Sequence, residues 1–432
     1  MAGIFGVVSK KDCVENLFWG THYLQHRAQD YCGLALYDGE FQNHPRKGLI
    51  KQQFLKENLK ALNGNFGIGA VASDEQPVPE HSRRVIFTFD GNVINYEDLK
   101  NRLLEEGILF SSHSNQQEIS DSVLVSKVIA REKSFEKGVE KLVELVKGDF
   151  AIVALTGEGV YAARGWGRKP LILGKKDGSY AVSSESNSFV NTGFEIFRDV
   201  EPGEIVLLNK EGIHQVKKLD LQPIKYGTFE WVYTAYPPSV IDGRNVAVVR
   251  MEIGKALARR YPVEADIVSP IPNSGIWHAT GYYLESGIPN IDVFTRYDYS
   301  DRSFTPQEQA DRDREAKTKL IILAQMVRGK RIIIVDDSIV RGTQTLNKVR
   351  ELREAGAREV HARIACPPLM AACKYGKTTK KDEDCIARRK SIGDIEKELE
   401  LDSLGYATVG DLEQALKLPR EKLCLECWTG TS

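Results

Sequence analysis

Two adjacent carboxylates, Asp336 and Asp337, close the apolar run Arg331 to Val335, and Ser338, Arg341, Gly342, Thr343 and Thr345 follow before a helical pattern begins. A strand that delivers acids onto a turn rich in hydroxyls and backbone N–H groups suits a bound anion. Unsatisfied donors and the helix dipole both favour negative charge at that place. The neighbouring carboxylates can hold sugar hydroxyls or approach a magnesium ion carried by a diphosphate. Two acids alone would read as an acidic strand end with a hydroxyl-rich helix cap; the whole string reads as a phosphate site. Cysteine gives the second chemical signal. Of seven cysteines, five (Cys366, Cys373, Cys385, Cys424 and Cys427) crowd towards the C-terminal end. In a long cytosolic chain that crowding favours metal chemistry over a disulfide framework.

The elements that must position these groups fall into two halves. Short apolar runs closed by Gly, Asp or Asn dominate the first half, among them MAGIFGVVS, FGIGAVA, RVIFTFDG and FAIVALTG. Many stand at hairpin spacing. Two stretches with helical periodicity interrupt them, Val14 to Arg27 and Ile119 to Lys147. That order predicts antiparallel sheets with helices packed outside, an α+β layered domain. Past about Lys225, strands at Ala265 to Ile271, Ile291 to Thr295, Arg331 to Val335 and Glu359 to Ala365 alternate with helices at Val246 to Arg260, Trp277 to Ser286 and Thr343 to Glu354. Such alternation predicts a parallel, doubly wound α/β sheet. The expected domains are residues 1–225 and 226–432, and neither an internal repeat nor a low-complexity tract is present.

Charge and composition narrow the function. Lys plus Arg number 59 against 60 Asp plus Glu, a formal charge of −1, so the electrostatic footprint of a general nucleic-acid or anionic-membrane binder is missing. No apolar run approaches the ~18 residues of a membrane span, and the N-terminus lacks a basic segment followed by a long apolar one. The expectation is a cytoplasmic protein acting on a small polar substrate.

The string Arg331 to Thr345 resembles the phosphoribosyl-diphosphate signature of type I phosphoribosyltransferases, and further segments narrow the resemblance to the glutamine-dependent amidophosphoribosyltransferase family of purine synthesis. Phe229 to Gly243 is similar to the segment opening that family's transferase domain, Ser269 to Tyr282 to its diphosphate loop, and Arg296 to Leu320 to its catalytic loop, with Arg302, Phe304, Gln309, Arg312, Lys319 and Leu320 matching. In the first half, Gln25 to Gly33, Ala163 to Gly174, Ser183 to Ser186 and Arg198 to Glu204 match as well. The resemblance implies an αββα glutaminase-like domain of the N-terminal-nucleophile type, followed by an α/β phosphoribosyltransferase domain. It implies that Ser338, Arg341, Gly342 and Thr343 lie along the 5-phosphate loop, that Asp336 and Asp337 contact the ribose hydroxyls, and that Ser274 joins the aspartates at the magnesium-diphosphate position. Arg302, Gln309 and Lys319 are the implied catalytic residues, on a loop closing over the substrate to exclude water. Asn273 stands where the family has an acidic residue, so one charge is lost there.

The same resemblance places the glutaminase nucleophile, a cysteine, at position 2, where this chain has Ala2. A methyl group cannot attack an amide. The family's glutamine-gripping arginine motif falls on Ala70 to Asp74, its oxyanion motif on Phe89 to Asn92, with Asp90 in place of a donor, and its amino-group motif near Asn115 to Glu118. Cys13 and Cys32 sit at apolar positions where cysteine is usually core. These departures predict a scaffold domain without its own glutaminase activity. Ammonia or another small amine would then come free or from an ammonia-supplying partner protein.

For the cysteines the resemblance implies a 4Fe-4S cluster held by Cys373, Cys424 and Cys427. The fourth family position falls on Gly227, leaving Cys366, Cys385 or another residue type to complete the set; zinc draws on the same ligands and is the alternative. The leading expectation is an enzyme using 5-phosphoribosyl 1-diphosphate and magnesium, as a homodimer or homotetramer. The competing one is a catalytically silent regulatory paralogue that binds nucleotide or diphosphate sugar.

Overall fold

Alternating apolar strands build the first half, and the computed structural model describes residues 1–110, 119–296, 320–376, 379 and 381–430 of the chain. It divides into two units. One holds Met1–Gly227, Pro238–Gly243 and a short stretch from Lys374; the other holds Thr228–Pro237, Arg244–Cys373 and the C-terminal stretch.

The first unit contains two antiparallel sheets. One runs, in spatial order, Glu195–Asp199, Ile172–Lys176, Ser179–Ser183, Ala2–Val8, Phe66–Ala72, Tyr31–Tyr37 and Phe41–Lys47. The other runs Ile213–Lys218, Glu204–Leu208, Val160–Arg164, Gly148–Leu155, Val85–Val93 and Val78–Glu80. Their facing sides share one core in which Ile4, Val8, Ile68 and Ala70 meet Ile86, Val153, Leu155 and Val206. The outer face of the second sheet is sealed by Leu124, Val128, Val139 and Leu142 from the helices Asp121–Ala130 and Phe135–Leu145. Helix Val14–His22 packs against the first sheet. The result is a four-layer αββα arrangement.

The second unit is built on a parallel sheet in the order Ile267–Pro270, Arg331–Asp336, Glu359–Ile364, Ser403–Tyr406. Its central strand is fully buried from Ile332 to Val335, as the unbroken apolar run requires. Helices Val246–Arg260 and Ile276–Ser286 pack closely on one another, and Thr343–Glu354 follows the central strand. The expected strand Ile291 to Thr295 is instead Phe294–Arg296, which pairs antiparallel with Leu320–Ile322 in a separate two-stranded sheet. Among the described residues, no helix is long and apolar enough to cross a membrane.

Candidate active site

Strand Arg331–Asp336 and the loop after strand Ile267–Pro270 end side by side, because the two strands are paired in parallel from Ile267 to Pro270. Carboxyl ends of neighbouring parallel strands are where open α/β sheets bind ligands. Ile271 and Gly275 continue the pairing: the Ile271 N–H donates to the Val335 carbonyl at 2.9 Å, and the Gly275 N–H donates to the Ile271 carbonyl at 2.9 Å. A β-carbon on Gly275 would stand 2.1 Å from the Val335 carbonyl oxygen, so only glycine lets this loop lie against the strand. The close approach brings the Ser274 hydroxyl to Asp336, where it donates to Oδ1 at 3.1 Å. The Asp337 N–H donates to the same oxygen at 2.9 Å, and the Ser338 hydroxyl donates to Asp337 Oδ2 at 2.6 Å. Burial, and then the neighbouring Asp337, hold the Asp336 carboxyl above the usual carboxylate range. A cation or a hydroxyl donor would relieve that crowding.

The turn that follows is shaped for an anion. Gly342 takes φ +82° and caps helix Thr343–Glu354 without a side-chain hydrogen bond to its first N–H groups. A β-carbon there would press on Leu399 and Ile386 at 3.0 and 3.3 Å. Arg341 projects largely into solvent and pairs with Asp384 at 2.9 Å. The Ile386 N–H donates to the Val340 carbonyl at 2.8 Å, so the segment around Asp384 and Ile386 buttresses the turn from below. Nothing in the spacing of 382–388 announced that contact. It is made by backbone groups and by one ion pair distant in sequence. Arg302, Phe304, Gln309, Arg312 and Lys319 lie outside the described residues, as do Asn115 to Glu118.

Four thiols gather in the same unit. The thiol of Cys427 lies in the field of Cys373, Cys424 and Cys385, and burial first, then those neighbours, push it up. None of the seven cysteines is in a disulfide. Among the described residues, no three His, Cys, Asp or Glu side chains stand close enough to hold one metal ion. The thiols neighbouring Cys427 are soft donors of the kind that an iron–sulfur group or zinc takes.

In the first unit, Ala2 opens the interior strand Ala2–Val8 beside a buried charge network. The Ala2 N–H donates to Asp90 Oδ1 at 2.9 Å, and Arg27 donates to the Ala2 carbonyl at 2.8 Å, to Glu185 at 2.7 Å and to Asp90 at 3.1 Å. Lys169 reaches Asp90 at 3.4 Å, His26 reaches Glu185 at 2.8 Å, and the Ser239 hydroxyl donates to Glu185 at 2.9 Å. Burial alone would push both acids up. For Asp90, Lys169 and Arg27 outweigh it, and for Glu185, His26 and Arg27 do, holding each carboxyl at about 2. Cys13 and Cys32 are buried, and burial pushes both thiols up, that of Cys32 to about 12.

Comparison with known proteins extends these observations. Residues 63–191 match the family model described as a glutamine amidotransferase domain. The chain is 34% identical to the amidophosphoribosyltransferase of Methanocaldococcus jannaschii, covering 100% of this chain and 97% of that protein. It is 33% identical to the Bacillus subtilis enzyme of the same name, covering 99% and 93%. The solved B. subtilis glutamine phosphoribosylpyrophosphate amidotransferase, complexed with ADP and GMP, superposes with a TM-score of 0.91 at 32% identity over 99% of this chain and 96% of that one.

These findings correct the expectation of a transferase without its own glutaminase activity. Full-length similarity to amidophosphoribosyltransferases, together with the glutamine amidotransferase match, points to glutamine-dependent activity. The geometry also removes part of the reasoning behind the expectation. Asp90 is no bare anion in an oxyanion position, because Arg27, Lys169 and the Ala2 N–H take up its charge.

Proposed function

The chain belongs to the amidophosphoribosyltransferase family and is a glycosyltransferase, and from that premise we propose which of its residues bind 5-phosphoribosyl 1-diphosphate and carry the transfer. Thr343 and the N–H groups around Ser338, Arg341 and Gly342 hold the 5-phosphate. Asp336 and Asp337 accept from the ribose hydroxyls. Ser274 and the two aspartates face magnesium, which supplies charge neutralisation of the leaving diphosphate when bound. Arg302, Gln309 and Lys319 are the proposed catalytic residues, shielding C1 from water. Ammonia then attacks C1. A C–N bond forms, the C1–O bond to diphosphate breaks, and the ammonium proton passes to solvent. The observation that carries this reading is the contact of Ser274 with Asp336, which joins the loop of one strand to the acid pair of its neighbour.

Cys373, Cys424 and Cys427 are proposed as thiolate ligands of a 4Fe-4S cluster that pins the C-terminal tail within its unit. A homodimer or homotetramer is the proposed assembly, which sedimentation equilibrium would measure.

The experiment is calorimetric titration of the purified protein with 5-phosphoribosyl 1-diphosphate and magnesium, followed by diphosphate release with ammonium as donor. Binding with ammonium-dependent release supports the reading, and no heat at millimolar ligand overturns it. Glutamine as the donor tests the nitrogen source, with glutamate formation accompanying diphosphate release as the outcome that family membership points to.

A further inference from the structure

We propose that Cys385 is the fourth thiolate of the cysteine group and that, through it, the group braces the phosphate turn. The inference rests on the cluster reading above and adds the ligand which that reading leaves open. Three separate stretches of chain are knitted together around Cys427. Its carbonyl accepts from the N–H groups of Met370 and Ala371 at 2.8 and 3.1 Å, which draws Cys373 alongside. The Ala372 N–H donates to Asp382 Oδ1 at 2.9 Å, and the Cys385 N–H donates to the Asp382 carbonyl at 3.0 Å. Arg388 closes the third side, donating to the Met370 carbonyl at 3.2 Å and pairing with Asp382 at 3.3 Å. Cys385 is thus tied through the Asp382 carboxylate to the segment that carries Cys373, and that segment is tied to Cys427. Cys373, Cys424 and Cys385 are electrostatic neighbours of Cys427, as is Cys366.

The other candidate, Cys366, is placed differently. It is buried directly after strand Glu359–Ile364, and although Cys427 is among its neighbours, Asp337 acts on it more strongly and Asp336 acts on it too. A thiolate there would add negative charge to the acid pair of the substrate site, whereas the charges around Cys385 are Asp382, Asp384 and Arg388.

The position of Cys385 gives the group a second role. Its chain neighbours, Asp384 and Ile386, make the two contacts that support the phosphate turn, the ion pair to Arg341 and the N–H to Val340. A metal group anchored at Cys385 fixes both contacts, and its loss frees them.

The test uses the full chain, purified anaerobically. Wild-type protein should carry about four iron atoms per chain. Cys385→Ser should lose at least one of them, with a changed visible and electron-paramagnetic spectrum, and bind ribose 5-phosphate several-fold more weakly. Cys366→Ser should keep the wild-type iron content and spectrum. If Cys385→Ser fails to fold, Cys385→Asp decides: retained iron with an altered spectrum supports the assignment, and an unaltered spectrum overturns it. Full iron in Cys385→Ser alongside loss in Cys366→Ser overturns it in favour of Cys366. Wild-type protein with zinc or no metal defeats the cluster reading itself and with it this assignment, a failure distinct from a misassigned fourth ligand.

Discussion

Asp337 is buried to 6% exposure at the end of the central strand, with its Oδ2 accepting from Ser338. Replacing it with asparagine removes the charge while preserving the shape. Asp337→Asn should weaken binding of 5-phosphoribosyl 1-diphosphate with magnesium at least tenfold by calorimetry, about 1.4 kcal/mol, a modest demand on charge-assisted hydrogen bonds. Asp336→Asn should raise Tm in the ligand-free protein while weakening binding, because burial and the Asp337 charge hold that carboxyl above its usual range. Glu185 presents the opposite case. Its carboxyl sits at about 2 against an ordinary 4.5, so between those values the folded chain binds fewer protons than the unfolded one. The stability it contributes is complete above that window and is lost as pH falls through about 2. Glu185→Gln should flatten the acid limb of a stability-versus-pH curve in this window and cost roughly 3 kcal/mol near neutrality, since part of the buried charge on Arg27 is left uncompensated. At this scale the sequence was informative where chemistry is local. The string Asp336 to Thr343 is contiguous, so its hydroxyls and acids could be read together. The partners of Arg341 and Asp90 were not legible, because Asp384 and Arg27 reach them across 43 and 63 residues.

The turn at Gly342 and the loop at Gly275 show what an element must supply before a residue can act. Gly342→Ala forces a side chain into φ +82° against Leu399, and should cost roughly 1–2 kcal/mol in denaturant unfolding while weakening phosphate binding. Strands buried on both faces were legible from unbroken apolar runs, as in Arg331–Asp336. Strand Phe41–Lys47 was not, since FQNHPRK is polar, contains proline and lies at a sheet edge, where such residues are tolerated. Ser403–Tyr406 was missed because SLGY is too short to show a period, although it forms the fourth parallel strand. The single helical stretch expected over Ile119 to Lys147 is two helices, Asp121–Ala130 and Phe135–Leu145. Ser134 starts the second one, a break that continuous apolar periodicity concealed. Helix Tyr96–Glu105 escaped notice because only Leu99 and Leu103 of its residues are buried.

At the scale of the whole molecule, each unit carries its own core: sheet against sheet in the first, parallel sheet and helices in the second. Fold class was legible because the order of elements changes from hairpins to strand–helix alternation midway along the chain. Function at this scale was only half legible. Departures around Ala2 concern single side chains, whereas similarity over 100% of the chain to an amidophosphoribosyltransferase speaks for the domain as a whole. The near-neutral charge leaves recognition of an anionic substrate to the local cradle rather than to a global field. The central claim is therefore that the acid pair and phosphate turn of the second unit bind 5-phosphoribosyl 1-diphosphate and release its diphosphate to nitrogen. Diphosphate release should be followed with magnesium and ammonium for the wild type and Asp337→Asn side by side. The account predicts ammonium-dependent release by the wild type and at least tenfold less by the variant at subsaturating substrate; equal rates in the two, or no release by the wild type at millimolar substrate, would contradict it.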